Sequence, residues 1–254
     1  MIKSDVHLNN KEEGITCFSY TFPDRDDLST ATDANHDAKE HDTEGDLIVV
    51  KRKRKRRLKI SHHVENKMDD VGMQVWKGAL YMNDFLIENY HKILLPFTLI
   101  LDVGSGTGLN SILLGQFAQN VVDISGINII ATDYTNLILA NIGKNIKLNN
   151  VEKYVKTRHL NLFQYCKRYK DGKDDRKEEI KEEYIYNPLK DVTNFESVYI
   201  IGSDIIYGEH LTTAFFDFLE IIATINCKVK VCNLISLWVH DELYLIIFHF
   251  ITRF

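Results

Sequence analysis

Blocks of hydrophobic and polar residues alternate along the chain and predict strands and helices in turn. Continuous apolar runs that end at a glycine or an acid predict buried strands at residues 98–103, 126–133 and 197–204. Further strand candidates are residues 154–163 and 228–236. Helical spacing of apolar residues predicts helices over residues 75–86, 109–118, 135–148 and 210–225. This order predicts an α/β fold with a doubly wound, mostly parallel sheet that carries helices on both faces.

Three stretches of the chain depart from this pattern. Residues 24–46 are polar and acidic, so they cannot bury enough apolar surface to offset the entropy of ordering, and we expect residues 1–60 to form a largely disordered tail. Residues 166–196 are rich in charge and predict a surface insertion or a mobile helix. The short stretch after the fifth strand predicts a sheet that is incomplete at its C-terminal edge.

Composition narrows the possible classes of protein. The formal net charge is −5, so no global charge favours nucleic acid or an anionic membrane. The four cysteines form no CxxC pair and no zinc spacing, which predicts reduced thiols in an intracellular protein and no metal site. The apolar run at residues 243–251 is shorter than the about 20 residues of a membrane-spanning helix, so we interpret it as buried core.

A run of seven basic residues, KRKRKRR, occupies positions 51–57. Such a run is typical of a nuclear import signal or of a contact with nucleic acid. It is equally compatible with a charged, solvated linker.

Candidate chemistry lies where the strands end, since ligands of open α/β sheets bind beyond the carboxyl ends of the strands. LDVGSGTG at residues 101–108 places closely spaced glycines after a strand, which lets the backbone bend sharply beside a ligand. Asp133 ends the next strand and could accept hydrogen bonds from ribose hydroxyls, unless Asp123 has that role or Asp133 only caps a helix. SDIIY at residues 203–207 ends a further strand.

The order of these segments resembles the family of small lysine methyltransferases that carry a DxxY motif. Asp204 and Tyr207 supply that motif, and VGMQVWKGALYMNDFL at residues 71–86 is similar to the helix that precedes the glycine loop in the family. LDVGSGTGL, and ATD followed by a helix with spaced asparagines, add to the likeness. The resemblance covers residues 71 to about 225 and makes residues 61–254 the methyltransferase domain.

The resemblance implies a Rossmann-like enzyme that uses S-adenosyl-L-methionine to methylate lysine side chains of another protein. It implies a location in the nucleus or cytoplasm, and nuclear nucleic-acid-binding proteins are a reasonable class of substrate. No membrane or metal partner is expected. The alternatives are a methyltransferase of nucleic acid or small molecules, and an interaction module that keeps the cofactor fold without activity.

The resemblance also implies a role for each candidate residue. Asp204 and Tyr207 would face the incoming lysine. The residues implied for the cofactor are Trp76 in the pocket lining, Asp102, Gly104, Ser105 and Gly106 at the methionine end, Gly108 in the same glycine loop, Asp133 at the ribose, and Asn161, Leu162 and Ser203 at the adenine or the pocket wall. Family members commonly carry Asp-Trp where this chain has Asn161 and Leu162, so an aromatic stacking surface is expected to be missing here.

Overall fold

The computed structural model describes residues 3–8, 13–21, 55–63, 68–120, 125–170, 188, 194–225, 230–239 and 242–250. The strands are β1 (Lys3–Leu8), β2 (Glu13–Thr21), β3 (Lys55–His63), β4 (Thr98–Val103), β5 (Asn128–Asp133), β6 (Val155–His159), β7 (Ser197–Ser203), β8 (Lys230–Val239) and β9 (Glu242–Phe250). A 3₁₀ helix (Met68–Met73) precedes α1 (Lys77–Ile93), α2 (Leu109–Asn120), α3 (Asn136–Leu148), α4 (Leu162–Lys170) and α5 (Glu209–Ile225).

A six-stranded sheet forms the centre of the molecule, in the order β6-β5-β4-β7-β8-β9. Its strands are parallel except β9, which pairs antiparallel with β8. Every residue of β4 is buried, which explains why this strand reads as an unbroken apolar run. The predicted fold class is therefore confirmed.

The two faces of this sheet bury separate hydrophobic clusters. Leu99, Leu101 and Val103 pack on the face that carries α4 and α5. Ile100, which lies between Leu99 and Leu101 in the sequence, belongs to the cluster beneath α1, α2 and α3 on the opposite face. This alternation follows from the two-residue period of a strand, and it places helices on both faces as predicted.

A second, three-stranded antiparallel sheet has the order β1-β2-β3. It belongs to the same core, since Phe18, Tyr20, Leu58 and Ile60 lie in one cluster with the helices α1, α2 and α3. The structure thus differs from the disordered tail expected for residues 1–60 wherever these strands lie, while residues 22–54 are outside the described part. The local reason is a two-residue period in β2, in which alternate side chains are buried. Of the basic run, residues 55–57 belong to β3.

The C-terminal edge of the central sheet carries one strand beyond the five predicted from the sequence. Residues 242–250, which include most of the apolar run, form β9 and pair with β8 over nine residue pairs. The charged insertion falls partly on the end of α4, and residues 171–187 and 189–193 lie outside the described residues. Among the helices that the structure describes, none is long and apolar enough to cross a membrane.

Candidate functional site

The carboxyl ends of β5, β4 and β7, three adjacent strands, bring the predicted segments together at one rim. The backbone N–H of Gly106 donates to Oδ2 of Asp133 at 3.2 Å. On the other side of the loop, a Cβ added to Gly104 would lie only 2.7 Å from Cγ2 of Ile205, the residue after Asp204. The glycine loop is therefore held between the acid of β5 and the segment that follows β7.

Positive φ angles shape this loop at three glycines, with values of 63° at Gly104, 54° at Gly106 and 78° at Gly108. Residues with a Cβ rarely adopt this region, so the loop needs glycine at these positions. Ser105 fixes the bend to β5, because its N–H donates to the Thr132 carbonyl at 2.8 Å and its Oγ accepts from the Thr132 N–H at 2.8 Å. The bend is thus tied to the neighbouring strand and not only to its own turn.

Asp102 lies beneath the loop and is only 1% exposed. Its Oδ2 accepts from the Ser111 hydroxyl at 2.6 Å, whereas Oδ1 has no hydrogen-bond partner within the described structure. Burial raises the pKa of this carboxyl to about 7. A buried acceptor without a partner fits a donor-bearing ligand group such as the ammonium of a methionine moiety.

Ser203 and the adjacent Asn110 form a second polar pair near this point. The Asn110 Nδ2 donates to Oγ of Ser203 at 3.0 Å, which joins α2 to the end of β7. The Asn110 Oδ1 is buried and has no partner among the described residues. The sequence did not identify Asn110, which reads locally as an ordinary polar residue in the first turn of α2.

Asp133 is 6% exposed and is held by backbone donors. Its Oδ1 accepts from the Tyr134 N–H at 2.8 Å, and burial raises the pKa of the carboxyl, opposed by hydrogen bonds from the backbone. Each carboxylate oxygen can accept more than one hydrogen bond, so ribose hydroxyls remain acceptable donors. Helix α3 is capped by Thr135, whose Oγ1 accepts from the Ile138 N–H at 3.3 Å, and the rival residue Asp123 lies outside the described residues.

Asp204 is held at the start of α1. It adopts a φ of 53°, and its Oδ2 accepts from the Gly78 N–H at 2.6 Å. A Cβ on Gly78 would lie 2.5–2.6 Å from the carboxylate atoms, so only glycine leaves room for this contact. Sequence reasoning missed Gly78, although a glycine within a helical pattern is a recognised signal of close packing.

Trp76 is the N-cap residue of α1 and is 47% exposed. Its Nε1 donates to the Val71 carbonyl at 2.8 Å. The adjacent Gly72 carbonyl would lie 3.1 Å from a Cβ on Gly106. The segment that carries Trp76 therefore lies directly against the glycine loop, next to the site for which Trp76 was predicted.

Tyr207 is the most exposed aromatic residue at the rim, with 71% of its surface accessible. Partial burial, together with nearby Tyr134 and Asp133, raises the pKa of its phenol. Tyr134, which the sequence did not single out, is itself 56% exposed. The two tyrosines and Asp133 thus share one end of the sheet.

Asn161 and Leu162 begin α4. The Asn161 Oδ1 accepts from the Gln164 N–H at 3.2 Å, which is a helix-capping contact. Leu162 is 8% exposed and packs in the cluster that also contains Leu160 and Tyr165. The structure thus places Leu162 in the core, and the exposed aromatic side chain at this point is the next residue, Phe163.

Among the residues that the structure describes, no group of three or more His, Cys, Asp or Glu side chains is placed to hold a metal ion.

Comparison with known families gives a match to the family described as lysine methyltransferase, over residues 52–173. This segment contains the glycine loop, Asp133, Asn161 and Leu162. The resemblance inferred from the sequence is confirmed over this stretch, and the match supports S-adenosyl-L-methionine as the cofactor.

Two similar proteins are methyltransferase-like protein 22 of Mus musculus and of Homo sapiens. The mouse protein is 33% identical over 93 residues, which are 37% of this chain and 21% of that protein. The human protein is 32% identical over 93 residues, which are 37% of this chain and 20% of that protein. The match therefore spans about a fifth of the length of either relative.

Similar solved structures include the O-methyltransferase from Bacillus cereus in complex with SAH. It has a TM-score of 0.38 and 13% identity, and the superposition covers 64% of this chain and 57% of that one. The cyclase SpnF has a TM-score of 0.39 and 14% identity, with coverage of 68% and 49%.

Proposed function

We propose that this protein is an S-adenosyl-L-methionine-dependent methyltransferase that modifies lysine side chains of another protein, in the nucleus or the cytoplasm. The observation that carries the proposal is the rim at which the glycine loop contacts both Asp133 and the segment of Asp204 and Tyr207. The family match over residues 52–173 supports the same reaction class.

On the cofactor side, the chain offers acceptors for the donors of the ligand and a backbone that permits close approach. When bound, S-adenosyl-L-methionine would supply a methyl group on a sulfonium. The free Oδ1 of Asp102 would accept from the ammonium, and the carboxylate of Asp133 would accept from the ribose hydroxyls. Gly104 and Gly106 would hold the loop in its positive-φ bend beside the ligand, because a Cβ at these positions would meet Ile205 and the Gly72 carbonyl.

On the substrate side, the protein must orient a neutral amine for an in-line displacement. Positioning supplies most of the acceleration in such a reaction, because no covalent intermediate with the protein is needed. Asp204 would accept from the amine, because each carboxylate oxygen can accept more than one hydrogen bond. Tyr207 stays a neutral phenol at physiological pH, since its pKa is raised, and its exposed ring would contact the aliphatic part of the lysine.

The test is labelling of a cell lysate with tritiated S-adenosyl-L-methionine, followed by acid hydrolysis and chromatography of methyllysine. The wild type is expected to label protein that resists RNase. Asp204→Ala is expected to lose about 100-fold or more of the label, since it misplaces the reacting amine. Asp204→Asn separates the contact with Gly78 from the contact of the carboxylate with the amine, because the amide oxygen can still accept from the Gly78 N–H. Glu220→Gln, on the exposed side of α5, is the matched surface control.

Three results would contradict the proposal. Label in RNA instead of protein would favour a nucleic-acid methyltransferase. A wild type that binds S-adenosylhomocysteine in calorimetry but labels nothing would favour an interaction module. Equal labelling by Asp204→Ala would exclude a part for this carboxylate in the reaction.

A further inference from the structure

Two asparagines of helix α3, Asn141 and Asn145, and its C-cap residue Asn149 follow one another at intervals of four residues and lie on one side of the helix. Asn145 pairs with the backbone of Ser61 in β3, since its Oδ1 accepts from the N–H at 2.7 Å and its Nδ2 donates to the carbonyl at 3.0 Å. Asn149 makes the same pair with Lys59, at 2.9 Å and 2.7 Å. The two side-chain amides thus bind the backbone of β3 as a neighbouring strand would, and β3 also pairs with β2.

One of these asparagines also reaches the glycine loop. The Nδ2 of Asn145 donates to the Thr107 carbonyl at 3.0 Å, and both residues are buried, with exposures of 0% and 3%. Asn149 differs in this respect, because its Nδ2 also donates to the Asn145 carbonyl and its Oδ1 also accepts from Nε2 of Gln116. Asn145 therefore connects β3 to the loop in a single side chain.

Thr107 stands between Gly106 and Gly108, both with positive φ. A loop with glycine on either side of one residue has many accessible conformations when nothing restrains it. A ligand that requires one conformation binds more weakly when it must also order the loop. A fixed Thr107 carbonyl removes part of that cost before the ligand arrives.

We propose that Asn145 is a positioning residue that holds the glycine loop against β3, so that the N-terminal sheet is part of the cofactor-binding apparatus. The inference rests on the proposed function, because it takes the glycine loop as the cofactor site. It goes beyond that function by giving residues 55–63, which lie outside the predicted site, an effect on cofactor affinity.

The experiment compares Asn145→Ala with Asn149→Ala in the full chain. Both variants lose one two-point pair with β3, and only the first loses the loop contact. S-adenosylhomocysteine is titrated by calorimetry below both unfolding temperatures, and KM and kcat are measured where activity exists. We expect Asn145→Ala to raise the Kd about tenfold and KM more than it lowers kcat, while Asn149→Ala keeps the Kd within about twofold although its Tm falls similarly.

Equal changes of Kd in the two variants, or an unchanged Kd in Asn145→Ala, would overturn the inference. A wild type that does not bind S-adenosylhomocysteine would instead overturn the proposed function. If Asn145→Ala does not fold, hydrogen exchange of the wild type tests the inference instead. If β3 affects ligand binding at the glycine loop, ligand binding must also affect β3, because coupling between two sites is reciprocal. Saturation with S-adenosylhomocysteine is expected to slow exchange of the Ser61 amide by a larger factor than amides in the middle of α5, and equal factors would contradict the coupling.

Discussion

The carboxylate of Asp204 accepts a 2.6 Å hydrogen bond from the backbone N–H of Gly78, a residue 126 positions earlier in the chain. Helix α1 has Trp76 at its N-cap and no capping bond from that side chain. Asp204 satisfies one of the free N–H groups that every helix start leaves, so it acts as a cap supplied from another strand. The acid of the DxxY motif thus fixes α1 and the Trp76 segment relative to the strand ends.

Gly78→Ala is predicted to damage this contact directly. The new Cβ would lie 2.5–2.6 Å from the carboxylate of Asp204, so the carboxylate or the helix must move. We expect a loss of about 1–3 kcal/mol in the free energy of unfolding, measured in urea, and a weaker affinity for S-adenosylhomocysteine. Gly143→Ala is the matched control, since a Cβ added to this helical glycine would meet no atom within 4 Å. It should be neutral or stabilising by up to about 1 kcal/mol, and a similar loss in both variants would contradict the role of the contact.

Tyr207→Ala is predicted to separate activity from stability. Because 71% of this side chain is exposed, its removal should change the free energy of unfolding by no more than about 0.5 kcal/mol. The rate of lysine methylation should nevertheless fall, since the ring is proposed to contact the substrate. Thermal unfolding and tritium labelling of the same preparation test both parts. Phe216→Ala, which alters an exposed aromatic of α5, should leave the labelling unchanged.

The middle of the central sheet could be predicted from the sequence because β4 and β5 are buried on both faces. β4 and β7 read as apolar runs, and the rule that ligands bind at strand ends then locates the rim. The N-terminal sheet was missed because β2 shows only a brief alternation, and its partner β3 follows after a gap of more than thirty residues. Pairing at that distance leaves no local signal.

The finer parts of the site depend on such distant contacts. The approach of Gly78 to Asp204 joins α1 to β7, and no spacing within either segment indicates it. Leu162 marks a different limit. Its position in the family pattern predicts a pocket wall, which stays a prediction, while the structure shows that the side chain is buried in a core cluster.

Leu162→Ala is therefore predicted to act on stability and not on cofactor binding. Removing this buried side chain should cost about 2–4 kcal/mol of unfolding free energy, while the folded protein keeps its affinity for S-adenosylhomocysteine. Phe163→Ala, one residue further along and 50% exposed, should be nearly neutral for stability. Urea unfolding and calorimetry distinguish these results. A large rise in Kd for Leu162→Ala at full folding would show that the side chain contacts the ligand after all.

The buried carboxyl of Asp102 predicts a pH dependence of stability. Its pKa is raised to about 7 in the folded protein, whereas an aspartic acid in an unfolded chain titrates near about 4. Between these values the folded state binds the proton and the unfolded state releases it. The contribution of this group is therefore fully present at low pH and is lost as pH rises to about 7, with a slope of at most about 1.4 kcal/mol per pH unit.

Asp102→Asn isolates this effect, because the amide is neutral at every pH and has nearly the same shape. Asp133, whose pKa is also raised by burial, contributes a slope of the same sign in both proteins, so the difference between them reports Asp102 together with its charge repulsion with Asp133. Urea unfolding from about pH 5 to about pH 8 should show the variant gaining stability relative to the wild type up to about pH 7, with a constant difference above that. A difference that does not change with pH would mean that Asp102 titrates near its ordinary pKa, and that its buried Oδ1 is charged and available to a cationic ligand even at mildly acidic pH.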